Sequence, residues 1–253
     1  VLFGWLSDRI GRKAVVMAGL VMAALSYFPA FHLLTTAAKP SLALAQDTSP
    51  VVVHADPAQC SFQFDPIGKT AFDTRSCDIA KSFLSKAGVS YRNEALGAGA
   101  GAEVHVGARV VKAPEPGAIT GEARKALIAA FHDETRAALT AAGYPATADP
   151  AQIDRALVVA IVAYFAILAA MAYAPIGAWF VELFPARIRY TSLSVPYHIG
   201  AGWIGGLLPT TVFAIVASTG YIYAGLWYPL TCAIISLVGG LSLGTLQFVV
   251  TVI

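Results

Sequence analysis

Charge is scarce in this chain. Only 13% of its 253 residues are Asp, Glu, Lys or Arg, where a soluble domain carries about 25%. Hydrophobic residues make up 57%, and the mean hydropathy is +0.66. That balance excludes an ordinary water-soluble domain and is the composition of a membrane protein. The net charge is only +2, and no basic tract marks nucleic acid as a partner. Three cysteines are too few for a densely stapled scaffold, and two without nearby His ligands are too few for zinc. Glycine-rich residues 97–101 lack the G-x-G-x-x-G spacing of a phosphate cradle and read as a flexible loop. No Ser/His/Asp or Cys/His arrangement has supporting context, so neither an enzyme nor a cofactor is expected. There is no signal-peptide pattern. The chain starts at Val1 within an apolar helical pattern, which reads as the C-terminal part of a longer protein.

Long apolar runs are what the chain does have. Residues 14–36 cover roughly 30 Å or slightly more as a helix, enough to cross a bilayer. Residues 156–184 form a second span of about 43 Å at 1.5 Å per residue, which must tilt or kink, and Pro175 is the expected kink. Residues 192–217 form a third span. Pro196, Pro209, Gly200, Gly202, Gly205 and Gly206 crowd it, so a discontinuous or hinged helix is expected. The Gly202-x-x-x-Gly206 spacing permits close helix contact. Residues 226–253 form a fourth span, with Pro229 and a Gly240/Gly244 pair.

Between the first two spans, residues 37–155 change character. Twelve of the 17 Lys and Arg residues lie there, and no stretch is apolar enough to span. This is a water-soluble insert, predicted to be a small α+β domain. Ile79, Phe83 and Leu84 sit at helical spacing in 78–87, and Gly88 stops that helix. A second helix is predicted to be capped by Thr120, with Glu122 in its first turn. Leu127, Ile128, Phe131 and Leu139 give it an apolar stripe, and Gly143 and Pro145 end it. Val104, Val106, Ala108 and Val110 alternate as a strand, with weaker strand patterns at 51–53 and 61–64. Cys60 and Cys77 both lie in the insert. In an oxidising compartment they can pair, adding about 3 kcal/mol by loop closure; the alternative is two unrelated thiols. Cys232 falls in an apolar run and reads as packing.

Charge placement orients the spans. Short loops 8–13 and 187–189 carry Lys or Arg, and loop 218–225 carries none. Basic short loops mark the cytoplasmic side, whereas long inserts cross regardless of their charge. The insert and loop 218–225 are then external.

The first charged loop reads Gly4-Trp5-Leu6-Ser7-Asp8-Arg9-Ile10-Gly11-Arg12-Lys13. Its G-x-L-[small]-D-R-x-G-R-K spacing resembles the signature loop of the major facilitator superfamily, found after the second helix and again after the eighth. The run Glu182-Leu-Phe-Pro-Ala-Arg187-Ile-Arg189 looks like the loop motif between helices 10 and 11 of sugar-porter-like facilitators. The longer stretch 174–200 is similar to the metabolite–proton symporter branch, which includes carriers of osmolytes and small carboxylic acids. The resemblance covers 1–36 and roughly 156–246. It implies an all-α membrane fold with four transmembrane helices, equivalent to helices 9–12 of a twelve-helix facilitator and preceded by the end of helix 8. Residues 1–36 then hold the motif loop and helix 9, residues 37–155 replace a small loop, and residues 156–253 hold helices 10–12. The Pro-Glu-Thr pattern common after helix 12 is absent.

By this resemblance the chain is part of a secondary active transporter in a plasma membrane, the inner membrane of a bacterium, with the insert on the periplasmic or extracellular face. Its partners would be a small metabolite, protons, the lipid bilayer and the missing N-terminal half. Four spans cannot rock one half against another by themselves. Asp8, Arg9, Arg12, Lys13, Glu182, Arg187 and Arg189 would form a charge network holding the cytoplasmic side closed, with Gly4 and Gly11 shaping the loop; the alternative is that these charges only fix topology. Tyr164 and Trp179 share a helical stripe with Met171, Pro175 and Glu182, and His198 and Trp203 lie in the glycine-rich span. These four are candidates for lining a substrate and proton path, since an ionisable residue inside a membrane is a functional candidate. Two other readings stand beside transport: a membrane-anchored sensor using the insert, and a fragment inactive alone.

The insert's side and its cysteines are tested together. In intact cells a membrane-impermeant maleimide should label neither Cys60 nor Cys77 until reductant is added, and then both. Labelling that needs the membrane opened first would place the insert in the cytoplasm.

Overall fold

The computed structural model describes residues 1–183 and 185–242. Its elements run α1 (Leu2–Ile10), α2 (Arg12–Ala38), α3 (Pro40–Thr48), β1 (Val51–Ala55), α4 (Ser76–Ala87), β2 (Tyr91–Ala95), β3 (Glu103–Val106), β4 (Arg109–Lys112), α5 (Gly121–Ala141), α6 (Arg155–Leu183), α7 (Arg189–His198), α8 (Leu208–Thr219) and α9 (Trp227–Ser242). A π-helical stretch, Ile199–Gly205, follows α7. Phe184, Gly244 and the end of the predicted fourth span lie outside the described residues. Four helical segments are long and apolar enough to cross a membrane: Arg12–Ala38, Arg155–Trp179, Arg189–Thr219 and Ala224–Leu241. Two compact units emerge. One comprises Val1–Leu34, Arg155–Pro209 and Leu226–Ile253; the other comprises Thr35–Asp154 and Thr210–Gly225.

The first unit is built from the apolar helices. Between 11% and 33% of each span's most apolar stretch is buried by protein, so most of that surface needs an apolar surrounding such as lipid. Helix α2 meets α6 at Gly19, where a Cβ would stand 3.1 Å from the Met171 Cβ. Such a glycine lets helix backbones approach without a hydrophobic drive from water. Val16, Leu20 and Ala233 are buried together, with Met17, Trp179 and Leu237 packed on them. Phe31 and Phe165 pack with tilted rings at 4.9 Å between centroids, and Phe28 meets Trp227 at 5.3 Å. Helix α6 continues through Pro175, which is itself fully buried. The third span carries the expected irregularity as the π-helical stretch. There a Cβ on Gly206 would run into the Gly202 carbonyl, so this glycine pair serves its own segment's backbone. The Tyr228 hydroxyl donates to the Ile204 carbonyl at 2.9 Å, supplying a partner to backbone in the widened turn.

The second unit is an α+β domain. Its four-stranded sheet has the order β2-β1-β3-β4, with β1 and β2 parallel and the other pairs antiparallel. A parallel pair needs a crossover, and α4 provides it. Val51, Val53, Ala55, Val104, Val106 and Val111 point to one face, where Leu84, Phe131 and Leu139 from α4 and α5 bury them. Gly88 closes α4 in the left-handed conformation, φ 70°. Cys60 and Cys77 form a disulfide with Cα atoms 5.2 Å apart.

Several sequence expectations are corrected. The single strand over 104–110 is a hairpin: Gly107 turns the chain at φ +57°. The alternation therefore restarts, leaving Val110 exposed and Val111 buried. Residues 61–64 form no strand. Their polar groups serve Asp78 instead, Ser61 N–H donating to its carboxylate at 2.7 Å and Gln63 Nε2 to its carbonyl at 2.8 Å. Thr120 stands at the start of α5 without a side-chain capping bond, and Leu127 is exposed. Strand β2 and helix α3 were not legible, because YRNEA has no apolar alternation and PSLALAQDT is short.

Loop 218–225 belongs to this second unit and is tied to β2. Tyr91 N–H donates to the Gly220 carbonyl at 2.7 Å, and its hydroxyl donates to the Ala217 carbonyl at 2.6 Å. Asn93 Nδ2 donates to the carbonyls of Ser218 and Thr219. The last carbonyls of a helix lack intrahelical partners, and these side chains satisfy them at the end of α8. Gly220 holds φ +79°, and a Cβ there would collide with the Tyr91 carbonyl. Gly99 holds a similar φ of +78° with open space around it. Gly99→Ala should cost about 1–2 kcal/mol for the left-handed backbone alone. Gly220→Ala should cost clearly more, read as the unfolding temperature of the purified protein; equal losses would refute this docking of the loop.

Candidate functional site

The charge network assembles where α1 gives way to α2. Gly11 holds φ 95°, and its N–H donates to the Ser7 carbonyl at 3.0 Å, ending α1. Ser7 is buried, and its hydroxyl donates to the Gly4 carbonyl at 2.7 Å. The turn reverses nothing more than one residue, so Arg12 opens α2 within reach of Asp8. Arg12 Nη2 lies 3.4 Å from Asp8 Oδ1, and its Nη1 lies 2.5 Å from Glu182 Oε1. One guanidinium thus bridges the two stretches that carry the sequence motifs. Its planar fork suits two acceptors at once. Glu182 sits in the last turn of α6, where the helix dipole disfavours a carboxylate; the Arg12 contact offsets that.

The other charges behave differently. Arg9 lies over the Trp5 ring at 4.1 Å from the centroid, a cation–π contact one turn apart on α1, and makes no ion pair among the described residues. Lys13 follows Arg12 in the first turn of α2. Arg187 lies on the exposed turn after α6, with no ion pair among the described residues, and Arg189 opens α7. Side-chain exposure sets the scale: 23% for Arg12, 65% for Asp8 and 61% for Glu182. Ion pairs this wet contribute about 0–1 kcal/mol each.

The candidate substrate and proton residues do not meet. Trp179 packs against the Val16, Leu20 and Ala233 cluster, a helix-packing position. Tyr164 touches Phe165. Trp203 is 73% exposed in the π-helical stretch. His198 Nδ1 lies 2.7 Å from the Ser194 carbonyl. The Ser194 hydroxyl stands 3.3 Å from the same nitrogen, so the ring is engaged by its own helical turn. No hydrogen bond or ring contact among the described residues joins any two of these four.

Sequence reasoning missed a cleft in the second unit. About 410 Å³ opens between α4 and the end of α5, lined by Lys39, Phe83, Lys86, His132, Arg136 and Tyr144 among others. His132 stacks on Phe83 at 4.5 Å. Burial holds its imidazole below the usual range, and Arg136 and Lys86 add to this. Arg136 is paired with Asp133 at 2.8 Å. Burial pushes the Tyr144 hydroxyl up to about 12, and it donates to the Ser49 carbonyl. His132 and Arg136, four apart on α5, were the available signal, and their spacing alone does not point to a cleft. Among the described residues no group of three His, Cys, Asp or Glu is placed to hold a metal ion.

No protein-family model, curated protein or solved structure matches the chain.

The Arg12 bridge is measurable by a double-mutant cycle. Arg12→Gln and Glu182→Gln should show a coupling of no more than about 1 kcal/mol in thermal unfolding, fading as salt is raised. A larger, salt-insensitive coupling would mean the pair is desolvated, contrary to its exposure.

Proposed function

We propose that the chain carries helices 9–12 of a proton-coupled secondary transporter of the major facilitator type. The metabolite–proton symporter resemblance points to a small substrate such as an organic acid or osmolyte. The observation that carries this reading is the Arg12 guanidinium set between Asp8 and Glu182. It links the two motif stretches that the resemblance pairs, and a sensor would need neither. Four helices long and apolar enough to span, with a widened glycine-rich turn in the third, support the same reading. Loop 218–225 and the insert are hydrogen-bonded within one unit, in keeping with both lying on one side of the membrane. On the charge topology that side is external and the Arg12 network is cytoplasmic.

A latch must hold one state and still release. Couplings of about 1–3 kcal/mol suffice to bias a two-state element, and a few exposed ion pairs reach the lower part of that range. A tighter, buried pair would lock the carrier.

A sensor reading draws on the insert's own core and clefts. Uptake separates the two. In cells expressing this chain together with the N-terminal half it would need, proton-driven accumulation of carboxylates or osmolytes is expected. Glu182→Gln and Asp8→Asn should insert normally and shift the population inward-open. Cysteines engineered along the substrate path would then lose external labelling and gain internal labelling. If both variants insert and neither labelling nor uptake changes, the charges are topological signals and the latch is wrong.

A further inference from the structure

Lys81 is out of place for a lysine. It lies on α4, only 8% exposed, and its ammonium makes no hydrogen bond or ion pair among the described residues. Lysine is almost never so buried unless paired. Asp78, one turn earlier, attracts it across space, but that carboxylate accepts the Ser61 N–H. Burial holds the Lys81 amine below its usual range, with Asp78 acting the other way. An ionised group held away from water without a close partner is costly, and a methionine of similar length would avoid that cost. Retained charge at such a position fits a group kept for binding, where stability is given up for function.

Lys81 lines a cavity of about 410 Å³ in the insert, beside the Cys60–Cys77 disulfide. Val53, Pro57, Cys60 and Phe62 give it apolar walls, and Phe62 is 57% exposed. Asn93 and Glu94 stand on the β2 side. Asn93 Nδ2 is taken by the Ser218 and Thr219 carbonyls. Glu94 lies 3.6 Å from His54 Nδ1 and is 57% exposed on its side chain, so it is no counter-ion drawn in toward Lys81. One cation, mostly apolar walls and one rim carboxylate make a defined demand. The ligand needs one negative group and an apolar body, and a second carboxylate would meet Glu94.

We propose that this cavity binds a small monocarboxylate, its carboxylate on the Lys81 ammonium and its apolar body against Phe62 and Pro57. The site uses residues of the second unit alone, Ser218 of loop 218–225 among them, and stands whether or not the chain transports anything.

Calorimetric titration of the full chain in nanodiscs tests it, with benzoate, butyrate, phthalate and neutral benzamide as probes. Benzoate or butyrate should bind, with benzamide and phthalate weaker by at least about tenfold, or 1.4 kcal/mol. Lys81→Met should weaken the monocarboxylate by a similar factor while unfolding no earlier than the parent protein, since it removes an unpaired buried charge. Should that variant not fold, the parent protein decides: benzoate should protect Lys81 from reductive methylation, read by peptide mass. Absence of monocarboxylate binding up to about 10 mM (a free energy near −3 kcal/mol), benzamide binding equal to benzoate, undiminished binding by Lys81→Met, or no protection of Lys81 would each overturn the proposal.

Discussion

Lipid offers no hydrogen bond to a peptide group, and most of this molecule's design answers to that fact. Every backbone N–H and C=O inside a bilayer must find a partner within the protein. Four apolar helices meet the demand with their own ladders. Where the third of them widens into a π-helical stretch, a side chain from elsewhere steps in, the Tyr228 hydroxyl bonding the Ile204 carbonyl. Where it ends, the insert does the same work: Tyr91 and Asn93 take the carbonyls of Ala217, Ser218 and Thr219. The insert's size is tolerable, since it carries a core and a disulfide of its own.

That division explains what was legible in the sequence. Apolar runs of membrane length are a strong signal, and the helices fall close to where composition placed them. Within the insert, Gly88 marked the end of α4 because only a residue without Cβ is at ease at φ 70°. The hairpin at Gly107 was hidden because Val104, Val106, Ala108 and Val110 alternate without interruption, although Gly107 stands among them. A two-residue turn restarts the alternation, and only pairing with β1 reveals which valine faces the core. Strand β2 had no pattern at all. Its side chains are exposed after Tyr91, and it is held by parallel pairing to β1 and by loop 218–225, both far away in sequence.

The candidate sites divide along a similar line. The charged loops announced themselves because charge is rare in this chain. Which charge mattered did not follow from the list: Arg12 bridges two carboxylates, whereas Arg9 turns to Trp5. Sequence spacing cannot choose between them, since Asp8–Arg12 and Trp5–Arg9 are both pairs four residues apart. Glu182 decides it, and its approach depends on the tertiary packing of α1, α2 and α6. The tryptophans told less. Trp179 is helix packing, and Trp203 is exposed, because a large aromatic serves a lipid-facing surface as readily as a cavity.

Burial then separates two kinds of basic residue. Arg12 keeps water and two carboxylates around it, so its pairs are cheap to break. Lys81 is 8% exposed and makes no ion pair among the described residues, so its charge is the costlier one to hold. A latch is made from charges that lose little when separated, whereas a recognition site is made from a charge that gains much when met. The same element, an ammonium or guanidinium near a helix, serves either role, and the surrounding dielectric chooses between them. Lys81 was invisible in the sequence for that reason. It is one of twelve basic residues in a water-soluble segment, and nothing in C-D-I-A-K-S-F-L says that α4 turns this one toward the disulfide and away from water.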